Sequence, residues 1–185
     1  ANINLSSLNG VNGFRIDGIN GGDRSGTSVS SAGDLNGDGL DDLLIGAPGG
    51  DGVAGTNNGE SYILFGKTTG FAATITLDTL DGINGFRLDG SDNNRYSGHS
   101  VSDAGDVNGD GFADIIIGQY GYDDDNDFDG PSFVVFGTAA AFGSVLDLSA
   151  LDGADGFQIA PLVQGDFGGR SGAGAGDVNG DGFDD

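Results

Sequence analysis

Short apolar or alternating runs of four or five residues, broken by Gly, Asn and Asp, recur along this chain, and that is the pattern of antiparallel strands joined by tight turns. Up to Phe65 the runs are Phe14–Asp17, Ser28–Ala32, Leu43–Ala47 and Tyr62–Phe65. Leu43-Leu44-Ile45 and Ile115-Ile116-Ile117 are unbroken apolar triplets, predicted to be covered on both faces. Ser28-Val29-Ser30-Ser31-Ala32 carries small residues that suit a crowded inner position. The pattern itself repeats: Gly13-Phe14-Arg15-Ile16-Asp17-Gly18 returns as Gly85-Phe86-Arg87-Leu88-Asp89-Gly90 and again as Gly156-Phe157-Gln158-Ile159, at offsets of 72 and 71. Leu5-Ser6-Ser7-Leu8-Asn9-Gly10 likewise matches Leu77-Asp78-Thr79-Leu80-Asp81-Gly82 and Leu148-Ser149-Ala150-Leu151-Asp152-Gly153. The units run over 1–72, 73–143 and 144–185, the last a little over half present. Four strands per unit predict an all-β fold of β-propeller blades, an incomplete propeller or a fragment of one, with the small-residue strand lining the central channel. A stacked β-solenoid satisfies the same periodicity. In either, one unit cannot bury both faces of its sheet and neighbours must supply the cover.

The strongest chemical signal is a nine-residue pattern, D-x-N-G-D-G-x-x-D, present three times between predicted strands. It reads Asp34-Leu35-Asn36-Gly37-Asp38-Gly39-Leu40-Asp41-Asp42, then Asp106 to Asp114, then Asp177 to Asp185. Ca2+ takes six to eight oxygens at about 2.3–2.6 Å, and a loop wraps it by pointing alternate residues inward. Positions one, three and five supply side-chain oxygens: Asp34, Asn36 and Asp38; Asp106, Asn108 and Asp110; Asp177, Asn179 and Asp181. Position seven (Leu40, Phe112, Phe183) supplies a carbonyl, and position nine (Asp42, Asp114, Asp185) closes the shell. Glycine at position six permits the sharp turn. An EF-hand is excluded, because its twelfth-position Glu would fall on Ile45 and Ile117. Three copies of a five-position pattern outweigh an origin as ordinary Asp/Asn/Gly hairpin turns. Mg2+ demands a stricter octahedron and keeps more waters, so Ca2+, one ion per repeat and three in all, is the expected cofactor.

Composition agrees with that chemistry. The chain has 28 Asp and one Glu against five Arg and one Lys, for a net charge of -23, and 39 of its 185 residues are Gly. Glu on helices would serve solubility equally well, so Asp in turns points to metal. Three bound Ca2+ ions would take -23 to -17. Nucleic acid is excluded as a natural partner, since binding it needs Lys and Arg to displace counterions from phosphate. Anionic membrane surfaces are disfavoured for the same reason, and no apolar run reaches the roughly 20 residues of a membrane span. Without Cys there is neither a disulfide framework nor a thiolate nucleophile. A chain that starts at Ala1 and contains no Met reads as processed or partial.

Val29-Ser30-Ser31-Ala32-Gly33 before the first loop, Leu43-Leu44-Ile45-Gly46-Ala47-Pro48 after it, and Ser61-Tyr62-Ile63-Leu64-Phe65-Gly66 further on resemble the FG-GAP repeat of integrin α-subunit propellers and many secreted bacterial proteins. The second unit keeps Phe136-Gly137 and replaces Gly-Ala-Pro with Gly118-Gln119-Tyr120. The third keeps the loop, with three fewer residues than its counterparts between Ser171 and Asp177 and three more between Phe157 and Ser171. The resemblance implies a seven-bladed propeller, with calcium in the hairpin between the first two strands of a blade. On that phasing Gly13–Gly18 belongs to the outer strand of the preceding blade.

Other features weigh less. His99, the one histidine, lies among Ser and Asp but matches Thr27 and lacks a nucleophile elbow, so it reads as a structural position. The acidic loop Tyr120–Gly130 sits opposite the calcium hairpins and reads as solvated, with a further cation or a ligand as the sharper alternative. Asn4-Leu5-Ser6 fits a glycosylation acceptor. Arg24, Arg95 and Arg170, near the Ser-Gly of each unit, are expected to pair with Asp. The expected function is a calcium-binding, secreted, extracellular or cell-surface adhesion module without an active site. It would engage protein or glycan through its loops, or self-associate into a polymer through the incomplete blade. The alternative is the non-catalytic propeller portion of a larger secreted hydrolase.

Overall fold

A computed structural model describes residues 4–52, 55–121, 130–163 and 167–185. Its strands are β1 (Arg15–Asp17), β2 (Ser28–Gly33), β3 (Asp42–Ala47), β4 (Glu60–Leu64), β5 (Thr74–Thr76), β6 (Gly85–Asp89), β7 (Ser100–Gly105), β8 (Asp114–Gly118), β9 (Ser132–Val135), β10 (Val145–Asp147) and β11 (Gly156–Ile159). Among the described residues there is no α-helix, and three short 3-10 turns cover Leu5–Ser7, Leu77–Thr79 and Leu148–Ala150. The antiparallel order β2-β3-β4-β6 makes one blade and β7-β8-β9-β11 the next. The fold is therefore the expected all-β one, successive propeller blades that do not close into a barrel. The small-residue strands β2 and β7 lie at the ends of their sheets and pack side by side.

One feature of the topology has no counterpart in the sequence expectation. After β9 the chain crosses to the outer edge of the preceding blade, where β10 pairs in parallel with β6 (Leu146 opposite Leu88), and only then returns as β11. β5 does the same on β1. Each returning turn is set by an acidic or amide side chain: Asp81 accepts the N–H groups of Ile83 and Asn84, and Gly82 N–H closes on Gly85. Those two amides hold the Asp81 carboxyl below its ordinary value.

The core sits between the blades. Leu44, Ile63, Phe86 and Leu88 of the first sheet face Val101, Ile115, Ile117, Phe133 and Val135 of the second, all buried, and Leu148 joins them from its 3-10 turn. Phe86 stacks on Phe142 at 4.4 Å. Ile45 and Tyr62 point to the opposite face and are covered by Leu77, with Ile16, Leu43 and Leu80 packed around them. The triplet Leu43-Leu44-Ile45 thus divides between two cores, as a strand covered on both faces must.

The third unit keeps the register of the second throughout. Gly26, Gly98 and Gly169 have φ of 86°, 80° and 72°; Ser28 Oγ–H donates to Gly98 O, and Ser100 Oγ–H to Gly169 O. Gly169 is therefore the counterpart of Gly98, and the steps 98 to 106 and 169 to 177 are equal. The apparent shortening arose from matching Ser171-Gly172 with Ser97-Gly98; the pair lies instead in the inner segment, where Gly172 approaches Ile116.

A buried polar cluster crosses the first blade. Tyr62 O–H donates to Glu60 Oε2, and Arg87 pairs with Asp89 at 2.6 Å and with Glu60 at 3.6 Å. Burial pushes the Glu60 carboxyl above its ordinary value, against the opposing pull of the Tyr62 hydroxyl and Arg87, while Asp89 and Asp23 push it further up. A raised acid favours the folded state while protonated; its contribution is complete below the ordinary carboxylate value and is lost as pH rises through the folded value. Glu60→Gln keeps an acceptor for Tyr62 and removes the titration. Its melting temperature relative to the parent is expected to climb as pH goes from 4 to 7, and parallel profiles across that range would refute the assignment.

Candidate metal centre

Each Asp-rich loop joins the first two strands of a blade, β2 to β3 and β7 to β8, with the third at residues 177–185. Gly37 and Gly39 adopt φ of 74° and 87°, and this left-handed backbone turns three successive amides back toward the side chains. Asp38 N–H donates to Asp34 Oδ1 and Asn36 Oδ1, each at 2.9 Å. Gly39 N–H donates to Asp34 Oδ2, and Leu40 N–H to Asp38 Oδ1. The same four bonds recur around Asp106, Asn108 and Asp110, and around Asp177, Asn179 and Asp181. Positions one, three and five are thus drawn together by the same amides in every loop. An ionised carboxylate has about four lone-pair sites, so these bonds leave acceptor capacity on an all-oxygen, hard donor set that suits Ca2+.

The ninth residues are held differently. Asp42 is buried and uses both oxygens on backbone donors, Leu35 N–H at 3.1 Å and Gly66 N–H at 2.9 Å. Asp114 does so with Val107 and Gly137, and Asp185 accepts from Val178 N–H. Gly66 and Gly137 are the glycines of the two Phe-Gly pairs, and any Cβ there would run into the loop, at Asp41 O and Ala113 O respectively. Burial raises Asp42 to about 6, against the two amides, with the charges of Asp38 and Asp34 adding to the rise. Asp114 is raised for the same leading reason. Among the described residues no three acidic or histidine side chains gather on one point, so an ion in these loops would draw on the Asn oxygen and the position-seven carbonyl beside the carboxylates.

Consecutive loops interlock. The ring of Phe112, at position seven, lies over Gly37, at position four of the preceding loop, so closely that a Cβ there would sit 2.3 Å from the ring. Phe183 covers Gly109 in the same way. Ala113 N–H donates to Asp34 O, Asp184 N–H to Asp106 O, and Asp106 N–H to Asp184 Oδ2. Position seven thus has a second role beyond its carbonyl, and the aromatic identity at Phe112 and Phe183 is the signal for it in the sequence.

The remaining candidates fall into place around these loops. His99 occupies a turn before β7, its ring lies 5.0 Å from Tyr120 and tilted by 52°, and its Nδ1 has no hydrogen-bond partner among the described residues. Asn4 accepts from Ser6 N–H and caps the first 3-10 turn. Arg170 lies over the rings of Tyr120 and Phe167. Of the acidic loop Tyr120–Gly130, residues 122–129 lie outside the described residues.

The FG-GAP repeat family matches residues 25–64, from the turn before β2 through β4, and 100–135, from the start of β7 through β9. Over 95 residues the chain is 38% identical to integrin alpha-4 of Xenopus laevis, covering 50% of this chain and 8% of that protein. It is 35% identical over 98 residues to integrin alpha pat-2 of Caenorhabditis elegans (52% and 7%). Against integrin alpha-PS2 of Drosophila melanogaster it is 37% identical over 121 residues (63% and 8%). The chain carries FG-GAP repeats and spans less than a tenth of the length of these relatives.

The double anchoring of Asp42 has a consequence that metal does not enter. In Asp42→Asn the new amide group would confront one of the two backbone N–H donors, leaving a buried donor unpaired at a cost of about 1–3 kcal/mol. Denaturant unfolding in chelator-containing buffer is expected to show that loss; equal midpoints for parent and variant would contradict it.

Proposed function

We propose that this chain of FG-GAP repeats is a calcium-binding, extracellular structural or adhesive module, presenting its loops to a protein or glycan partner or to further copies of itself. The observation that carries the reading is the identical set of four amide-to-side-chain bonds in all three loops. Such bonds gather like-charged oxygens that repel one another across a few ångströms, an arrangement that a divalent cation relieves.

Asp34, Asn36, Asp38 and the Leu40 carbonyl would hold the first ion, with Asp42 behind them. Asp106, Asn108, Asp110, Phe112 and Asp114 would serve the second, and Asp177, Asn179, Asp181, Phe183 and Asp185 the third. Calcium supplies the positive charge that lets each loop stay closed. The chain's own residues do the rest: amides 38–40 orient the ligands, and Phe112 and Phe183 hold neighbouring loops in register. An extracellular setting supports the reading, because loops of this chemistry on extracellular modules bind at about 0.1–1 mM. The similarity to integrin α chains over half the sequence supports an adhesive role. No helix among the described residues is long and apolar enough to cross a membrane.

A tenfold excess of Ca2+ over its dissociation constant adds about 1.4 kcal/mol per occupied loop. The melting temperature is therefore expected to rise with millimolar Ca2+, to fall again in EGTA, and to respond far less to Mg2+. Asp38→Asn, at an exposed loop position, keeps an acceptor for Leu40 N–H and removes one repelling charge, so it should lower the calcium-bound melting temperature and leave that in EGTA no lower than the parent's. A melting curve indifferent to Ca2+, with no heat of binding by calorimetry, would end the proposal.

A further inference from the structure

At the end of the blades away from the Asp loops, a turn precedes each inner strand: Arg24–Thr27, Tyr96–His99 and Phe167–Arg170. Each is closed by its fourth N–H donating to its first carbonyl, at 3.1, 3.2 and 3.4 Å. The first residue of each turn is left-handed, with φ of 57°, 50° and 58°. Gly or Asn would take that conformation cheaply, whereas in Arg, Tyr and Phe the Cβ crowds the backbone. Retaining large side chains there fixes them over the end of the inner strands.

Between the first two turns lies a cavity of about 320 Å³ lined by Arg24, Thr27, Pro48, Tyr96, His99 and Tyr120. Among the described residues none that lines it is acidic, in a chain with 29 acidic residues. The guanidinium of Arg24 makes no ion pair or hydrogen bond among the described residues. Nδ1 of His99 is buried and also lacks a partner, and such an atom is costly unless something else satisfies it. Tyr120, which forms one wall, is held from behind by Arg170 at 5.3 Å and by Phe167 at 6.4 Å.

We propose that this cavity binds a single carboxylate carried on a saturated ring, the chemistry of a uronic-acid sugar. The inference names a ligand class for the adhesive reading above and rests on it, but uses none of the calcium loops. A guanidinium takes a carboxylate through two parallel N–H bonds, and Arg24 lines the cavity with no partner among the described residues, beside the His99 ring. The Tyr96 and Tyr120 rings wall a volume that a lone aspartate or glutamate carboxylate leaves mostly unfilled, whereas a sugar ring occupies it. The net charge of -23 works against a ligand with several negative charges, which favours one carboxylate over a run of them.

Because His99 is the only histidine, its ring gives one identifiable set of resonances in ¹⁵N–¹H spectra. Titration of the calcium-loaded protein with galacturonate is expected to move that set saturably. Galactose, which lacks the carboxylate, and N-acetyl-aspartate amide, which lacks the ring, should each bind at least tenfold more weakly. Arg24→Gln, at an exposed side chain, should weaken galacturonate at least tenfold without changing the melting temperature. His99→Thr installs the residue of the matching turn, Thr27, and should show the same loss by calorimetry. No saturable shift, galactose or the aspartate derivative binding as tightly as galacturonate, or an unaffected Arg24→Gln would each overturn the assignment. If calcium stabilises the fold while galacturonate fails to bind, this inference alone falls. If galacturonate binds and calcium has no effect, it is the calcium reading that falls.

Discussion

The contact on which the rest of the structure depends is the seam between successive blades at the Asp loops. An aromatic ring from one loop lies on a glycine of the loop before it, and an amide beside that ring bonds the preceding loop's first carbonyl. A four-stranded sheet of this size cannot bury both its faces alone, so a blade is stable only when its neighbour is held at the right distance and tilt. The Phe112 ring on Gly37 sets that distance at one end of the sheets. At the other end Gly46 and Gly118 are approached by the carbonyls of Gly98 and Gly169, so closely that a Cβ at either position would clash. Leu44, Phe86, Ile115 and Phe133 fill the space between these two close approaches.

The parallel strands β5 and β10 add a second link between blades. Each leaves its own sheet, extends the outer edge of the preceding one, and returns through a 3-10 turn whose leucine, Leu77 or Leu148, is buried. An outer strand that would otherwise present unpaired amides is thereby covered by the chain itself. The same excursion inserts Leu148 into the core between the two blades, so outer edge and inter-blade packing are stabilised together.

Charge is divided between the two ends. At the loop end, backbone amides hold carboxylates in close company, and the ninth Asp of the first two loops is turned into the sheet, where burial raises Asp42 and Asp114 above the ordinary range. At the opposite end, the turns present Arg24, Arg170, His99 and aromatic rings. Among the described residues the cavity between these turns is lined by no carboxylate, which in a chain this acidic is a matter of placement. The polarity of the blade, loops at one end and turns at the other, supplies that placement.

Period, strand content and the oxygen-rich loops were all legible in the residues, because each rests on local physics: two-residue alternation, glycine at positive φ, and short polar side chains that bond their own backbone. The unbroken triplet Leu43-Leu44-Ile45 announced a strand covered twice for the same reason. What the residues alone left undetermined depends on contacts between segments far apart in the chain. The three-residue strands at 74–76 and 145–147 are too short to show a period, and they exist because an outer edge was waiting for them. The ninth Asp is anchored by a glycine 23 or 24 residues away. The true match of Gly169 with Gly98 emerged from the carbonyl each offers to a serine of a neighbouring strand, since sequence similarity favoured the wrong Ser-Gly pair. The sequence by itself determined a repeated blade and its carboxylate loops; only the tertiary structure decided how blades join and which side chains meet at their ends, because those distances are set by packing between units.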